Sequence, residues 1–502
     1  MSIPKVMGIE QEYAVTTPGT NLDLIRASYL IVNSFDRVAE VGWDYKAETP
    51  FLDARGFTSE GETVRVSRAD NLKINNLLVN GARFYVDHAH PEFSTAECLK
   101  IKDTVAFDRA GERIITLAAK RAMERLEPGT KIEIYKNNSD RKGNSYGSHE
   151  NYLISKEAYH RIFPPSSSPP VYLLKYLLPF FISRQIFTGA GKVGAENGVG
   201  SVKYQISQRA DFFETILGAH TTTKRPLINT RDEPHADRER FRRLHVIIGD
   251  ANMSEYTNFL KLGTTAIILK MVEDDALSED LELAEPVKAN LAISHHPDLK
   301  LKLSLADGRK LTPLEIQQVY YEQARDYIKG KGKATLEERE VVAEWGKVLK
   351  KLADDPLALR SEIDWVIKLW LLDRYRGRKG ISWEDPRLRK MDLLYHLIDE
   401  KRGLYFLLEQ EGEVRRVVSE ERINHFLSHS PEDTRAYFRG ECFRRFPSDI
   451  VEANWDSLTF DLGGEKLIKV PLPDPTKGTR AEVGDIFKKV KTAKELLSKI
   501  SA

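Results

Sequence analysis

Cysteine is nearly absent from this chain: Cys98 and Cys442 are the only two in 502 residues. That excludes a disulfide framework and a cysteine-based zinc site, and it fits a reducing compartment. No sign of charge is in excess, with 76 Lys plus Arg against 75 Asp plus Glu and a net charge of +1. No global field therefore favours nucleic acid or an anionic membrane, and an acidic partner has to meet a local basic groove. Long apolar runs are missing too. The longest, VYLLKYLLPFFI at Val171–Ile182, contains Lys175 and Pro179 and is too short to span a bilayer. The N-terminus enters a strand pattern without the sections of a signal peptide. Repeats and low-complexity tracts are absent, and the expected location is cytoplasmic.

What is present is ordinary soluble composition, 41% hydrophobic and 30% charged. The length allows a large core, either as several domains or as one large domain with an appendage. One stretch organises the rest: Gly81 to Glu97, GARFYVDHAHPEFSTAE, a β-prone run carrying a tyrosine, an aspartate, two histidines and two glutamates. Alternate side chains of a strand share a face, so Tyr85 and Asp87 point one way while Phe84, Val86 and His88 point the other. Pro91 is expected to interrupt the ladder and let Glu92 turn back toward Asp87. Glu10 and Glu12 in MGIEQEYAV repeat the period-two geometry. Two such strands either form a nest of oxygen ligands for a hard cation such as Mg2+, or present ordinary solvated carboxylates.

Along the chain, an amphipathic helix is expected over about 21–40, with Leu22, Ile25, Tyr29 and Val32 at helical spacing. The charged, turn-rich segment of about 42–71 reads as a mobile loop. Helices are expected at about 102–126, 170–188 and 253–273, and a mainly helical stretch at about 312–399. Strands are expected at about 131–136, 150–155, 202–206 and 243–248. This alternation lacks the strict βαβ regularity of a doubly wound sheet. A change of texture near Pro431 predicts a small C-terminal domain over 431–502, after a catalytic domain over 1–430.

Two further constellations bear on chemistry. The segment YKNNSDRKGNSYGSHENY, Tyr135 to Tyr152, crowds amides, hydroxyls and His149 into one loop, as a polar substrate or phosphate site would. Arg209 in SQRADF and Arg231, His235, Arg242, Arg243 and His245 in the run from Asn229 to Asp250 offer guanidinium forks suited to carboxylates and phosphates. The same residues also suit surface ion pairs, and His245, between Leu244 and Val246, suits a satisfied buried histidine. GAGKVG at Gly189 to Gly194 is a decoy. It follows a helix-like run rather than a strand, and a phosphate loop needs a glycine where Ile186 stands and a Ser or Thr where Val193 stands.

Taken together, GIEQEY, NGARFYVDHAHPEFS, KNNSDRKGNSYGSHENYL, SQRA, NTRDEPHAD and RRLHVIIGDANMSE resemble, from end to end, the family of Pup ligase and Pup deamidase/depupylase, relatives of glutamine synthetase and the carboxylate-amine ligases. The loop WDYKAETPFLDARGF, the strand YVDHAHPE, and DTRAYFRG and NWDSLTFD resemble the deamidase/depupylase branch. The resemblance implies an α+β fold, a glutamine-synthetase-like antiparallel sheet cradle packed by helices, with ATP (or ADP with phosphate) and Mg2+ in the cradle. The implied substrates are Pup and pupylated proteins, with a functional link to a bacterial proteasome. The implied reaction is hydrolysis of a side-chain amide at the C-terminal residue of Pup, by deamidation or by isopeptide cleavage. The alternative is an ATP-consuming Pup ligase. By the same resemblance Asp87 is nucleophile or base and Tyr85 positions it or binds metal. Glu10, Glu12, Glu92 and His149 are implied as metal ligands, and Arg209, Arg231, His245, Arg435 and Trp455 as nucleotide or phosphate residues.

Overall fold

The structure, a computed structural model, describes residues 2–58, 66–221, 224–330 and 334–500. Its centre is a six-stranded sheet built from β1 (Met7–Glu12), β2 (Asn75–Leu77), β3 (Arg83–Asp87), β4 (His90–Ser94), β5 (Ser148–Ser155) and β6 (Phe241–Val246). The spatial order is β6-β5-β1-β4-β3-β2, and every neighbouring pair runs antiparallel. The fold is therefore α+β, with the sheet cradle that the sequence led us to expect.

One face of the sheet is apolar and the other polar, because the strands alternate. In β1, Met7 and Ile9 are buried while Glu10 and Glu12 are only partly so. Phe84, Val86 and Phe93 join the same apolar face, each burial contributing about 1.5–3 kcal/mol. Helix α1 (Leu24–Val32) and the long helix α2 (Ile101–Met123) pack beneath it. Gly111 of α2 sits directly on Phe93: a Cβ there would lie 2.5 Å from the ring, so only glycine permits this approach. Helix α1 starts where Asp23 caps the Arg26 N–H at 2.9 Å. It ends at Asn33, well short of the expected limit at residue 40, because the Asn33 amide turns to bond the Tyr29 and Lys73 carbonyls.

A smaller four-stranded sheet forms from Ile450–Asn454, Ser457–Phe460, Ile468–Pro471 and Gly42–Trp43. Its core includes helix α3 (Ala436–Arg445) through Phe438, Cys442 and Phe443, and it draws in Val41, Trp43 and Leu77. The small unit is thus not a single C-terminal cut of the chain, since Gly42–Trp43 lies parallel to Ile450–Asn454 inside its sheet. The described part of the 42–71 segment is ordered, which differs from the expected loop. Trp43 is anchored in that sheet, and Asp53 accepts from Arg55 at 2.9 Å and from Thr230 at 2.5 Å. The stretch 59–65 lies outside the described residues. Among the described residues no helix is long and apolar enough to cross a membrane.

Candidate active site

Sheet register gathers the acidic side chains. Tyr85 of β3 stands opposite Glu92 of β4, and Glu92 stands opposite Glu12 of β1. On the other side of β1, Glu10 faces His149 of β5. Directly paired residues on one face bring their Cβ atoms to about 4.5–5.5 Å, so three strands place Tyr85, Glu92 and Glu12 in one row, with the Glu10–His149 pair beside it. Asp87 follows at the exposed end of β3, its side chain 41% exposed. Two clusters result, Glu12–Asp87–Glu92 and Glu10–His149–His245, each with ligand atoms within 4.8 Å of one another.

The turn that carries Asp87 differs from the expected one. Pro91 does not break the ladder; it pairs with Val86, and its carbonyl accepts the Tyr13 N–H at 3.0 Å. The chain reverses instead at His88 and Ala89. His88 does not continue the strand but takes φ 51°, and its Nδ1 lies 3.0 Å from Asp87 Oδ2. That hydrogen bond, with the charge of Asp87, pushes His88 up to about 9.

The carboxylates divide by environment. Burial raises Glu92, and the neighbouring charges of Asp87, Glu12 and Glu10 raise it further, well above the usual range. Burial opposes ionisation of Glu12 as well, but His90, His149 and the Gly147 N–H outweigh it and hold Glu12 at about 2. For Glu10, burial is outweighed by His245, His149 and Arg243, which keep it well below the ordinary value. A crowd of carboxylates that forces a proton onto one member lacks countercharge. Oxygen and imidazole donors at these spacings suit a hard divalent cation.

Gly147 fixes the approach of β5. A Cβ there would meet His149 Nε2 at 2.2 Å and Glu12 Oε1 at 2.7 Å, so the glycine leaves room for both ligands. Its N–H donates to Glu12 at 2.9 Å.

The two clusters line a cavity of about 800 Å³ that also takes in Arg83, Arg209, Arg225, Arg231, His235, Arg243 and Trp455. A second cavity of about 90 Å³ shares Glu10, His235 and Trp455 with it and is also lined by Arg435. Trp455 stacks edge-on against Trp43 with centroids 5.4 Å apart, and Arg83 lies 4.1 Å over Trp43 and 3.9 Å over Tyr85. Arg83 stands two residues before Tyr85, so strand period alone placed it on the same face, yet the sequence reading passed over it. Arg225, in the plain run TKRPLIN, left no such signal.

Several expected residues take other parts. His245 joins the cation cluster, with Nδ1 2.9 Å from Asn151 Oδ1 and its ring 4.9 Å from that of His149. Burial pushes it well below its ordinary value, which holds the imidazole neutral. Tyr85 stands beside Glu92, and burial and then the charge of Glu92 raise its phenol well above the ordinary value. Arg435 offers no free fork: Nε reaches Glu97 at 2.7 Å, and its Nη atoms reach the Leu472 and His235 carbonyls at 2.7 and 2.8 Å. It shapes the wall through His235. Arg209 and Arg231 line the cavity as expected, each with a buried Nε that has no partner.

An antiparallel cradle that sets two acidic clusters beside Arg209, Arg225 and Arg231, none of which pairs with a carboxylate among the described residues, carries the donor set of an enzyme-type site for a cation and an anion side by side. The chain belongs to the Pup-ligase protein family, whose pattern matches residues 5–459. It is 45% identical to a protein named depupylase from Acidothermus cellulolyticus, over 99% of both chains. It is 42% identical to the Pup deamidase/depupylase of Mycobacterium tuberculosis, again over 99% of each. Among solved structures it resembles the Pup ligase PafA in complex with Pup, with 31% identity and a TM-score of 0.79 over 97% of this chain and 91% of that one. PafA in complex with ADP gives 34% identity and a TM-score of 0.73 over 86% and 96%.

Proposed function

We propose that this protein hydrolyses side-chain amides at the C-terminal residue of Pup, deamidating its glutamine to glutamate and cleaving the isopeptide bond between Pup and a target lysine. The observation that carries this reading is Asp87, a half-exposed carboxylate at the mouth of the cavity and within 4.8 Å of Glu12 and Glu92. Likeness along the full chain to depupylases supports the hydrolytic branch over the ligase. The substrates are Pup and pupylated proteins of a bacterial proteasome pathway, and the compartment is the cytoplasm.

Asp87 acts as the nucleophile on the amide carbonyl or as the base for the attacking water, and the amine leaves carrying a proton. Tyr85 steadies Glu92 in the row beside it. A cation such as Mg2+ would be held by Glu10, Glu12, Glu92 and His149, with His245 and Asp87 completing the two clusters, and would polarise the scissile carbonyl as a Lewis acid. ATP, or ADP with phosphate, would be held between Trp455 and Arg231. Amide hydrolysis is downhill, so bound nucleotide completes the site without being consumed, whereas a ligase must use ATP to form an acyl phosphate.

The test is to incubate the protein with glutamine-ended Pup, ADP and Mg2+ and to measure ammonia together with the new glutamate by mass spectrometry. Ammonia release is expected, and Asp87→Asn should retain Pup and nucleotide binding while turnover is lost. ATP-dependent attachment of glutamate-ended Pup to lysines, with no ammonia released from the glutamine form, would overturn the reading in favour of a ligase.

A further inference from the structure

A pair of imidazoles lies outside the cradle, in a cavity of about 1050 Å³ that shares no lining residue with the catalytic one. The short helix Glu420–His425 runs into HFLSH, His425 to His429. The His429 N–H donates to the His425 carbonyl at 3.0 Å, so the helical turn carries on through both histidines. Residues four apart on such a turn share a face, and here the rings stack with 4.6 Å between centroids and 13° between planes. His425 Nε2 is buried and has no partner among the described residues. His429 is exposed, and its Nδ1 lies 3.0 Å from Ser428 Oγ and 3.3 Å from the His425 carbonyl, which leaves Nε2 as its open donor atom. Glu432 and Asp433 line the same cavity. Glu432 is taken up by Arg480 at 2.6 Å. Asp433 Oδ2 is 3.2 Å from the Nζ of Lys100, and both its buried oxygens are otherwise without a partner.

The donor set has a chemical preference. Two histidines at i and i+4 on one helical face are a chelating pair for a transition cation, which they bind through Nε2. A ligating histidine gives its other ring N–H to a carbonyl or side-chain oxygen, which fixes the tautomer, and His429 Nδ1 is placed to do so. Burial, and then the neighbouring His429, hold His425 below its ordinary value, which keeps its imidazole neutral. At about 2.0–2.1 Å from each nitrogen, a tetrahedral cation draws the two ring edges to about 3.3 Å apart. That is a small side-chain rotation for an exposed histidine. Imidazole favours Zn2+, Ni2+ or Cu2+ over Mg2+, so the cation expected in the cradle does not compete here.

We propose that His425 and His429 ligate a divalent transition cation of the Zn2+ class, with Asp433 accepting a hydrogen bond from a water bound to it. The ion clips the end of the helix Glu420–His425 to the turn that enters α3, two residues before Arg435.

The experiment titrates Zn2+ into the full-length protein at saturating Mg2+, against a chromophoric chelator, and compares wild type with His429→Ala and His149→Ala. The second variant removes an imidazole from the cradle and so marks any Zn2+ bound there. Wild type should bind one Zn2+ that His149→Ala keeps and His429→Ala loses. The drop in affinity should exceed the roughly 10- to 100-fold that loss of a supporting contact costs, and Asp433→Asn should cost about tenfold. Hydrogen exchange locates the ion: Zn2+ should slow exchange over residues 425–435 in wild type and leave it unchanged in His429→Ala. Equal Zn2+ affinity in wild type and His429→Ala, a tight Zn2+ lost only with His149, or no Zn2+ bound more tightly than about 1 mM would each overturn the proposal. Circular dichroism of each variant separates misfolding from loss of the ion.

Discussion

Glu97→Gln tests how the small unit is held to the catalytic sheet. Glu97 reaches Arg435 Nε at 2.7 Å and Arg439 Nη2 at 2.5 Å, and the side chains are 15%, 3% and 3% exposed. Arg439 also donates to the Trp455 carbonyl at 2.8 Å, so this triad ties the end of the organising stretch to the Trp455 wall of the cavity. Burial raises the carboxyl, but Arg439 and Arg435 outweigh it and hold Glu97 at about 2, against 4.5 for a free glutamate. At about 1.4 kcal/mol per pH unit, that depression corresponds to about 3 kcal/mol of linkage. Removing one partner of a buried ion pair costs about 3–5 kcal/mol, because it strands the other charge. The two figures agree. Because the folded value is depressed, the stabilisation is fully present above about pH 4.5 and is lost as pH falls toward about 2. The Gln variant lacks this dependence.

Unfolding of a chain this long is not expected to be two-state, so the readout is hydrogen exchange in α3, Ala436–Arg445. At pH 7 the variant should exchange on the order of 100-fold faster there. The gap from wild type should narrow as pH drops from 5 to 3. Exchange within about fivefold of wild type at pH 7, or a gap that does not change with pH, would refute the reasoning.

Gly147→Ala should lower turnover at least 100-fold with little change in thermal midpoint, because the added methyl displaces His149 and Glu12 without touching the core; an unchanged rate would contradict the cluster geometry. Glu92→Gln should weaken Mg2+ binding in calorimetry by about tenfold or more, as loss of an anionic ligand from a crowded site does. Chelation with EDTA should abolish turnover and added Mg2+ should restore it, while persistent activity in metal-free buffer would count against both clusters. Arg184→Met, which strands Glu150 beneath the sheet at 2.5 Å, should cost about 3–5 kcal/mol in denaturation while leaving Mg2+ affinity alone.

The sequence by itself determined much of this protein. Period two in β1 and β3 put Glu10 with Glu12 and Tyr85 with Asp87 on one polar face, because strand pleating is local. The two cysteines, the balanced charge and the interrupted apolar run excluded whole classes of function for the same reason, since composition needs no fold. Tertiary structure alone decided the register, which is set by pairing between distant segments. It aligned Tyr85, Glu92 and Glu12 in one row, and it brought His245 from β6 to Glu10 and His149. It also moved the turn from Pro91 to His88, where a left-handed residue closes a two-residue hairpin. It committed Arg435 to Glu97 and drew Trp43 into the small sheet. Finally, it left Arg209 and Arg225 facing the cavity without an ion-paired carboxylate among the described residues, because which charges pair depends on the distances between elements far apart in the chain.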